Sequence, residues 1–471
     1  MKEILDLILE WTFIIRNFVW GNWMIALLVI TGIILTFATG FIQVRRLKES
    51  LKLVLKGAKK QDYHEDDIGD ISPFQALMTA LAATVGNGNI AGVATAIATG
   101  GPGAPVWMWI SAFFGMATKY AEGFLGVKYR EVAEDGSMAG GPMYYIKHGI
   151  KNKKIAKPLA AVFAACGAFT ALFGTGNMAQ SNSMALAIHQ EFGISPLITG
   201  IILVILTGLV VIGGIKRIGA VAEKLVPTMI LFYFTGALII ILANISHVVE
   251  AFELIFTAAF NPRAVAGGVI GVTVQRTLSL GVSRGVLSNE SGLGSAAIAQ
   301  SASKSSDPYK NGLIAMTGTF IDTIVVNTIT TLVIVLTGVW KFTPFMGKEL
   351  GADGLSSTAL TATAFNTVIP FGGSIIAVAS LLFGYSTLLG WVYYGEQCIE
   401  YLWGLRVKQV YRFLYIGLLF IGAILHGKYL DIVWNVGDIA NAMMAIPNLV
   451  GLLLLTAIVA KITKEAQTTS S

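Results

Sequence analysis

Five residues, Val85-Gly86-Asn87-Gly88-Asn89, interrupt an apolar run from 72 to 99 that is otherwise long enough to cross a bilayer. Two glycines free the backbone, and two asparagines bring polar side chains to a depth where spanning needs none. Backbone that leaves the helix in hydrocarbon is tolerated only where protein buries it or where it lines a cavity. Freed N–H groups suit an anion and freed carbonyls a cation, so the chemistry on offer is the binding of small charged ligands. Broken helices of this kind mark the substrate and ion sites of secondary transporters. A packing pair of glycines of the small-xxx-small type is the alternative reading of the same residues.

Other polar residues stand in apolar surroundings. Ser386 and Thr387, within LLFGYSTLLGW, offer two hydroxyls suited to a hard cation, or else bond back to carbonyls one turn earlier. Trp391 lies one turn beyond Thr387 on the same face, where an indole either walls a small pocket or packs at a helix interface or in the lipid belt. Asp322 sits about eleven residues into its helix, near mid-membrane at about 1.5 Å per residue. A charge there costs on the order of 3 kcal/mol and needs Arg276, a bound cation or hydroxyls such as Thr323 as partners. Lys119 and Glu122, three residues apart, fit a local pair toward a cytoplasmic helix end, and Arg284 and Glu290 fit a gate or hinge contact where a helix meets the cytoplasm.

The elements that must position these residues are membrane helices. At 55% hydrophobic and 13% charged residues over 471 positions, the composition excludes an ordinary soluble protein. Apolar stretches at 22–43, 72–99, 105–129, 158–188, 196–214, 218–243, 264–283, 311–340, 367–396, 411–425 and 432–460 give about eleven spans. No n-region, h-region and small-residue cleavage site is read from residue 1 onward, so a removable signal peptide is not expected. Lysines and arginines crowd the connections after the first and third spans, at 45–60 and 128–157, whereas GGPGAP and HQEFGIS carry none. The basic loops are expected in the cytoplasm, with the N-terminus outside and the C-terminus inside. The net charge of +6 is then a topology signal and needs no nucleic-acid partner.

A second interrupted segment follows about 190 residues after the first, with its break expected around Thr277 to Gly281. Setting aside residues 1–71 as a peripheral helix and basic loop, the breaks become helices one and six of a ten-helix core. The predicted fold is an all-α integral membrane protein of two inverted five-helix repeats, at 72–249 and 250–471. Cys166 and Cys398 are isolated in apolar segments, and the five histidines lie in loops or at helix ends with no nucleophile or metal-ligand spacing. An enzyme is therefore not expected. A channel would show a repeated pore loop or a ring motif instead of two oppositely inserted broken helices.

Several blocks carry a family resemblance: VGNGNIAGVA at 85–94, GGPGAPVWMWISAFFG at 100–115, AGGPMYYI at 139–146, FGTGNMAQSNS at 173–183, SNESGLGSA at 289–297, FIDT at 320–323 and STLLGWVYYGE at 386–396. The chain resembles the alanine/glycine:cation symporter family, within the wider sodium-coupled transporters of the leucine-transporter fold. It departs at Asn87, where threonine is common, and at Pro105-Val106. The resemblance implies that the amides of Asn87 and Gly88 receive an amino-acid carboxylate. Carbonyls near Thr84, Arg276 and Thr277, with the Ser279 hydroxyl, would surround the ammonium. It implies a sodium site from the carbonyls of Ala82, Val85 and Phe383 with the hydroxyls of Ser386 and Thr387, and a second from Asn89 and Thr277. The function so implied is symport of alanine and glycine across the plasma membrane by alternating access. Sodium is the favoured driving ion and the proton the alternative, with no cofactor and no obligate protein partner.

Overall fold

The computed structural model describes residues 2–59, 68–174, 176–266, 273–348 and 357–469. Lys60 of the first basic loop and positions 267–272 of the seventh expected span lie outside the described residues.

Nearly every described element is a helix. Two N-terminal helices, α1 (Lys2–Val19) and α2 (Asn22–Ala38), lead through a short turn to the amphipathic α3 (Leu47–Lys59). Next come α4 (Pro73–Thr84) and α5 (Val93–Gly100), joined by a π-helical turn at Gly88–Gly92 and bent by 49°. The long α6 (Ala104–Lys128) is followed by a ribbon of β1 (Glu131–Val132) and β2 (Met138–Ala139) and by α7 (Pro142–Gly149). Helices α8 (Lys153–Phe173), α9 (Met178–Phe192), α10 (Pro196–Val211) and α11 (Gly214–Ala243) complete the first half.

The second half opens with α12 (Val248–Phe260), α13 (Val274–Asn289) and α14 (Ser295–Ser301). Helix α15 (Pro308–Thr319) passes through a π-helical stretch, Phe320–Asn327, into α16 (Thr328–Leu336). The chain ends with α17 (Ser357–Asn366), α18 (Gly372–Trp403), α19 (Val407–Ile424) and α20 (Lys428–Thr469).

Among the described residues, seven helices are long and apolar enough to cross a membrane, or eight with the bent pair counted as one. One of these candidates begins at Glu3, so the N-terminal segment extends well before the expected start at 22. The stretch expected as one span at 158–188 is split between α8 and α9 around Gly174. Large apolar side chains such as Ile212 (69% exposed) and Leu231 (65%) point outward, while buried Thr, Asn and Ser side chains are interspersed in an apolar core. An apolar exterior is the arrangement a lipid environment favours.

The two broken segments run antiparallel and are tied at both ends. The chain just before α4 pairs with the chain just after α14: Asp70 N and Ile71 N donate to Ala302 O, at 2.8 and 3.1 Å, and Lys304 N donates to Ile71 O at 2.7 Å. At the opposite ends, Thr277 Oγ1 donates to Gly100 O at 2.8 Å. Such opposed polarity is what an inverted repeat places at its centre.

The second break is not where the sequence predicts it. Thr277 to Gly281 lie inside the continuous α13, and the chain leaves the helix only at Glu290. Gly281 answers to packing: a Cβ there would stand 2.3 Å from Ala104 O and 2.7 Å from Trp107 Cβ of α6. Gly281→Ala is therefore expected to force α13 and α6 apart, at an overpacking cost of about 1–3 kcal/mol. Thermal unfolding of the purified variant in detergent should show a lowered melting temperature, and an unchanged one would mean that this contact does not hold the helices together.

Candidate substrate and cation site

Helix α4 starts on a capping box, in which Gln75 N donates to Ser72 Oγ (3.0 Å) and Ser72 N to Gln75 Oε1 (3.1 Å), with Pro73 at the first helical position. It stops at Val85, whose backbone is extended (φ −76°, ψ 90°). Gly86 N, which would continue the helix, donates instead to the side chain of Asn89 (2.8 Å to Oδ1). The break is thus satisfied from within its own loop, and the carbonyls at the end of α4 are left available.

Those carbonyls face α18. Ser386 Oγ lies 3.1 Å from Ala82 O and 2.9 Å from Phe383 O, and Thr387 Oγ1 lies 3.0 Å from Phe383 O. Both hydroxyls make the back-bond to the preceding turn, and Ser386 also reaches across to the other helix. Gly86 is packed so closely on this point that a Cβ would stand 2.5 Å from Thr387 Oγ1. Val85 is fully buried beside them. Four of the residues expected around a cation, Ala82, Phe383, Ser386 and Thr387, are joined by these bonds at one junction of α4 and α18, and Val85 closes the end of α4.

Asn87 is held from two sides. Its Nδ2 donates to Gln180 Oε1 of α9 at 2.9 Å, and its Oδ1 accepts from Ser380 Oγ of α18 at 2.6 Å. Asn87 and Gly88 line a cavity of about 180 Å³ together with Thr84, Gln180, Ser288, Glu290, Thr387 and Trp391. This is small beside the roughly 300–1,000 Å³ of clefts that take drug-sized ligands. Trp391 is 1% exposed and lines this cavity, so the lipid-belt alternative is excluded. The cavity shares Arg284, Trp434 and Asp438 with a larger vestibule of about 650 Å³, lined also by Asp6, Glu10 and Arg16 of α1. Arg16 pairs with Asp438 there (Nε to Oδ2, 2.9 Å). Arg284 therefore lines both the cavity and the vestibule beside the N-terminal helix.

Among the described residues, Asp322 has neutral hydrogen-bond partners only. Its Oδ1 accepts from Asn89 Nδ2 (2.7 Å), and its Oδ2 from Thr323 Oγ1 (2.7 Å) and Ser288 Oγ (3.0 Å). Asn89 Nδ2 also reaches Asn327 Oδ1 at 2.8 Å. The π-helical stretch explains the geometry: its i→i+5 repeat sets Asp322 and Asn327, five residues apart, on one face toward Asn89. Sequence reasoning missed Ser288 and Asn327, because α-helical spacing does not align such a pair. Arg276 is exposed at the start of α13, so the expected Arg276–Asp322 contact does not form. Thr277, bonded to Gly100 O, is not among the partners of Asn89, and none of Arg276, Thr277 and Ser279 lines the cavity among the described residues.

Behind the second break, Glu122 replaces the missing helix carbonyls. Its Oε1 accepts from Gly292 N and Gly294 N, both at 3.0 Å, and from Asn448 Nδ2 at 2.8 Å. The expected local pair with Lys119 is not made, and Lys119 Nζ, fully buried, has no hydrogen-bond partner among the described residues. No group of histidines, cysteines and carboxylates with metal-holding geometry occurs among the described residues.

Comparison with known proteins places this geometry. The sequence matches the sodium:alanine symporter family over residues 5–470. The chain belongs to that family. It is 50% identical over 450 residues to the sodium/alanine symporter AgcS of Methanococcus maripaludis, covering 96% of this chain and 95% of the relative. It is 36% identical over 462 residues to the probable sodium/glutamine symporter GlnT of Bacillus subtilis, covering 98% and 90%. Among solved structures, the manganese transporter of Eremococcus coleocola aligns with a TM-score of 0.52 at 16% identity, over 85% of this chain and 88% of that one, which shows a shared fold. The protein is a multi-pass membrane transporter and not an enzyme.

Asn89→Ala tests whether this network is built as described. It strands Gly86 N–H and removes a donor from Asp322, at roughly 1–3 kcal/mol for each buried group left unpaired. The melting temperature of the purified variant should fall clearly. A wild-type melting temperature in a folded Asn89→Ala protein would contradict the assignment.

Proposed function

We propose that this transporter is a sodium-coupled symporter of small neutral amino acids, chiefly alanine and glycine, that works by alternating access. One observation carries the reading: the unwound residues 85–89 meet the hydroxyls of Ser386 and Thr387 on one side and a small, tryptophan-walled cavity on the other. A cation among the oxygens of Ala82, Val85, Phe383, Ser386 and Thr387 would fix the end of α4, and with it the amides of Asn87 and Gly88 that receive the carboxylate. Binding of either ligand then favours the other, which is the thermodynamic content of symport. The names of the relatives, one a sodium/alanine and one a sodium/glutamine symporter, support the ion and the substrate class.

A second cation position is supported at Asp322, with Asn89, Ser288, Thr323 and Asn327 as neighbours, in place of the Asn89–Thr277 pair expected from sequence. The same carboxylate favours one alternative: a group surrounded only by neutral donors can be neutralised by a proton as well as by a metal cation, which gives a proton-coupled carrier. In the preferred topology the N-terminus and the vestibule lined by α1 lie outside the cell, and the paired ends at 70–71 and 302–304 lie on the cytoplasmic side, as the basic loops require.

Proteoliposomes containing the purified protein should concentrate labelled alanine when an inward sodium gradient is imposed and fail to do so under a proton gradient alone. Accumulation driven by protons without sodium would overturn the sodium assignment. Thr387→Ala, which removes one of few protein oxygens, should raise the sodium needed for half-maximal uptake by at least about tenfold, the equivalent of roughly 1.4 kcal/mol. An unchanged sodium dependence in a folded Thr387→Ala protein would remove this junction from the account.

A further inference from the structure

Glu290 opens the second break, and two physical penalties attach to it. Its backbone is left-handed (φ 55°, ψ 23°), a conformation in which Cβ crowds the following carbonyl and which glycine usually fills at a helix end. Its carboxylate is 4% exposed, in a membrane protein's interior, where charge is disfavoured. Glycine serves the same backbone need only two and four residues later, at Gly292 (φ 95°) and Gly294 (φ 84°). A glutamate retained at such a place points to a use for its side chain.

That side chain holds the cavity wall. Glu290 Oε1 accepts from Trp391 Nε1 at 3.0 Å, and Oε2 accepts from Ser295 Oγ at 2.5 Å. The indole is otherwise fixed by packing alone: Tyr394 meets it edge-on, with centroids 5.6 Å apart, and Gly176 lies so close that a Cβ there would stand 2.6 Å from Trp391 Cγ. The Glu290 bond is therefore the polar contact that sets the rotation of the ring, and it reaches the ring from the broken segment across the cavity.

We infer that Glu290 is a positioning residue for side-chain selectivity, its carboxylate pinning the Trp391 indole across the pocket so that the size limit is set jointly by the second break and α18. This rests on Trp391 being a wall of the amino-acid pocket, as proposed above.

The test is competition of labelled alanine uptake by glycine, alanine, serine, valine and leucine, in wild type and in the variants E290A, E290Q, W391F and W391L. E290A frees the ring, so valine and leucine should gain on alanine by at least about tenfold, the scale of one hydrogen bond to a charged group. W391F keeps an aromatic ring but loses the N–H, and should broaden the range in the same direction. The double variant E290A/W391F should go no further than the larger single effect, because both substitutions remove the one bond. E290Q keeps an acceptor for the indole and should restore the wild-type ranking. A wild-type ranking in E290A or in W391F, or a range as broad in E290Q as in E290A, would overturn the inference. If E290A does not fold, W391F and E290Q decide it. Failure of the underlying reading looks different, because W391L itself would then leave the ranking intact.

Discussion

Everything in this molecule turns on the fact that hydrocarbon offers no partner to a backbone N–H or carbonyl. A helix can break at mid-membrane only if the protein itself supplies the missing bonds, and side chains do so here. Asn89 takes the N–H of Gly86 at the first break, and Glu122 takes those of Gly292 and Gly294 at the second. In both cases a side-chain oxygen substitutes for a carbonyl one turn back. At the first break, carbonyls at the end of α4 are left facing the hydroxyls of α18. The need to satisfy the backbone and the proposed binding site are therefore two sides of one structural feature.

The two breaks are also mechanically joined. A parallel backbone bridge between Ile71 and Ser303 fastens the start of the first broken segment to the end of the second, and the Thr277 bond to Gly100 fastens the other ends. Between these ties, Asn89 reaches Asp322 and Asn327 on the π-helical stretch, and Ser288 reaches Asp322 from α13. A ligand that orders one break is thus felt at the other. Such a connected bundle, moving against α18 and its neighbours, suits alternating access around a fixed central site.

Much of this was legible in sequence, for reasons that also explain the misses. The first break announces itself because Gly and Asn within an apolar run have no role in plain spanning, and Ser386, Thr387 and Trp391 share one helical face by simple spacing. The second break was misplaced because Gly281 carries the same letter for a different reason, close approach of α6. The true break, at Glu290 to Gly294, is polar and glycine-rich as well, but it looked like a cytoplasmic helix end. Asp322 was visible as a costly charge, whereas its partners were not, since only a π-helical register brings Asn327 beside it. Helix α1 escaped notice because Lys2, Glu3, Asp6, Glu10 and Arg16 interrupt its apolar pattern, and Asp6, Glu10 and Arg16 line the vestibule in the fold.

The central claim is that cation and amino acid are bound through one shared unwound segment. Its most direct test is calorimetric titration of alanine into the purified protein at a series of sodium concentrations, with choline holding the ionic strength constant. The account predicts that the alanine Kd falls steadily as sodium rises, with a reciprocal tightening of sodium as alanine is added. An alanine Kd that does not change with sodium would contradict it.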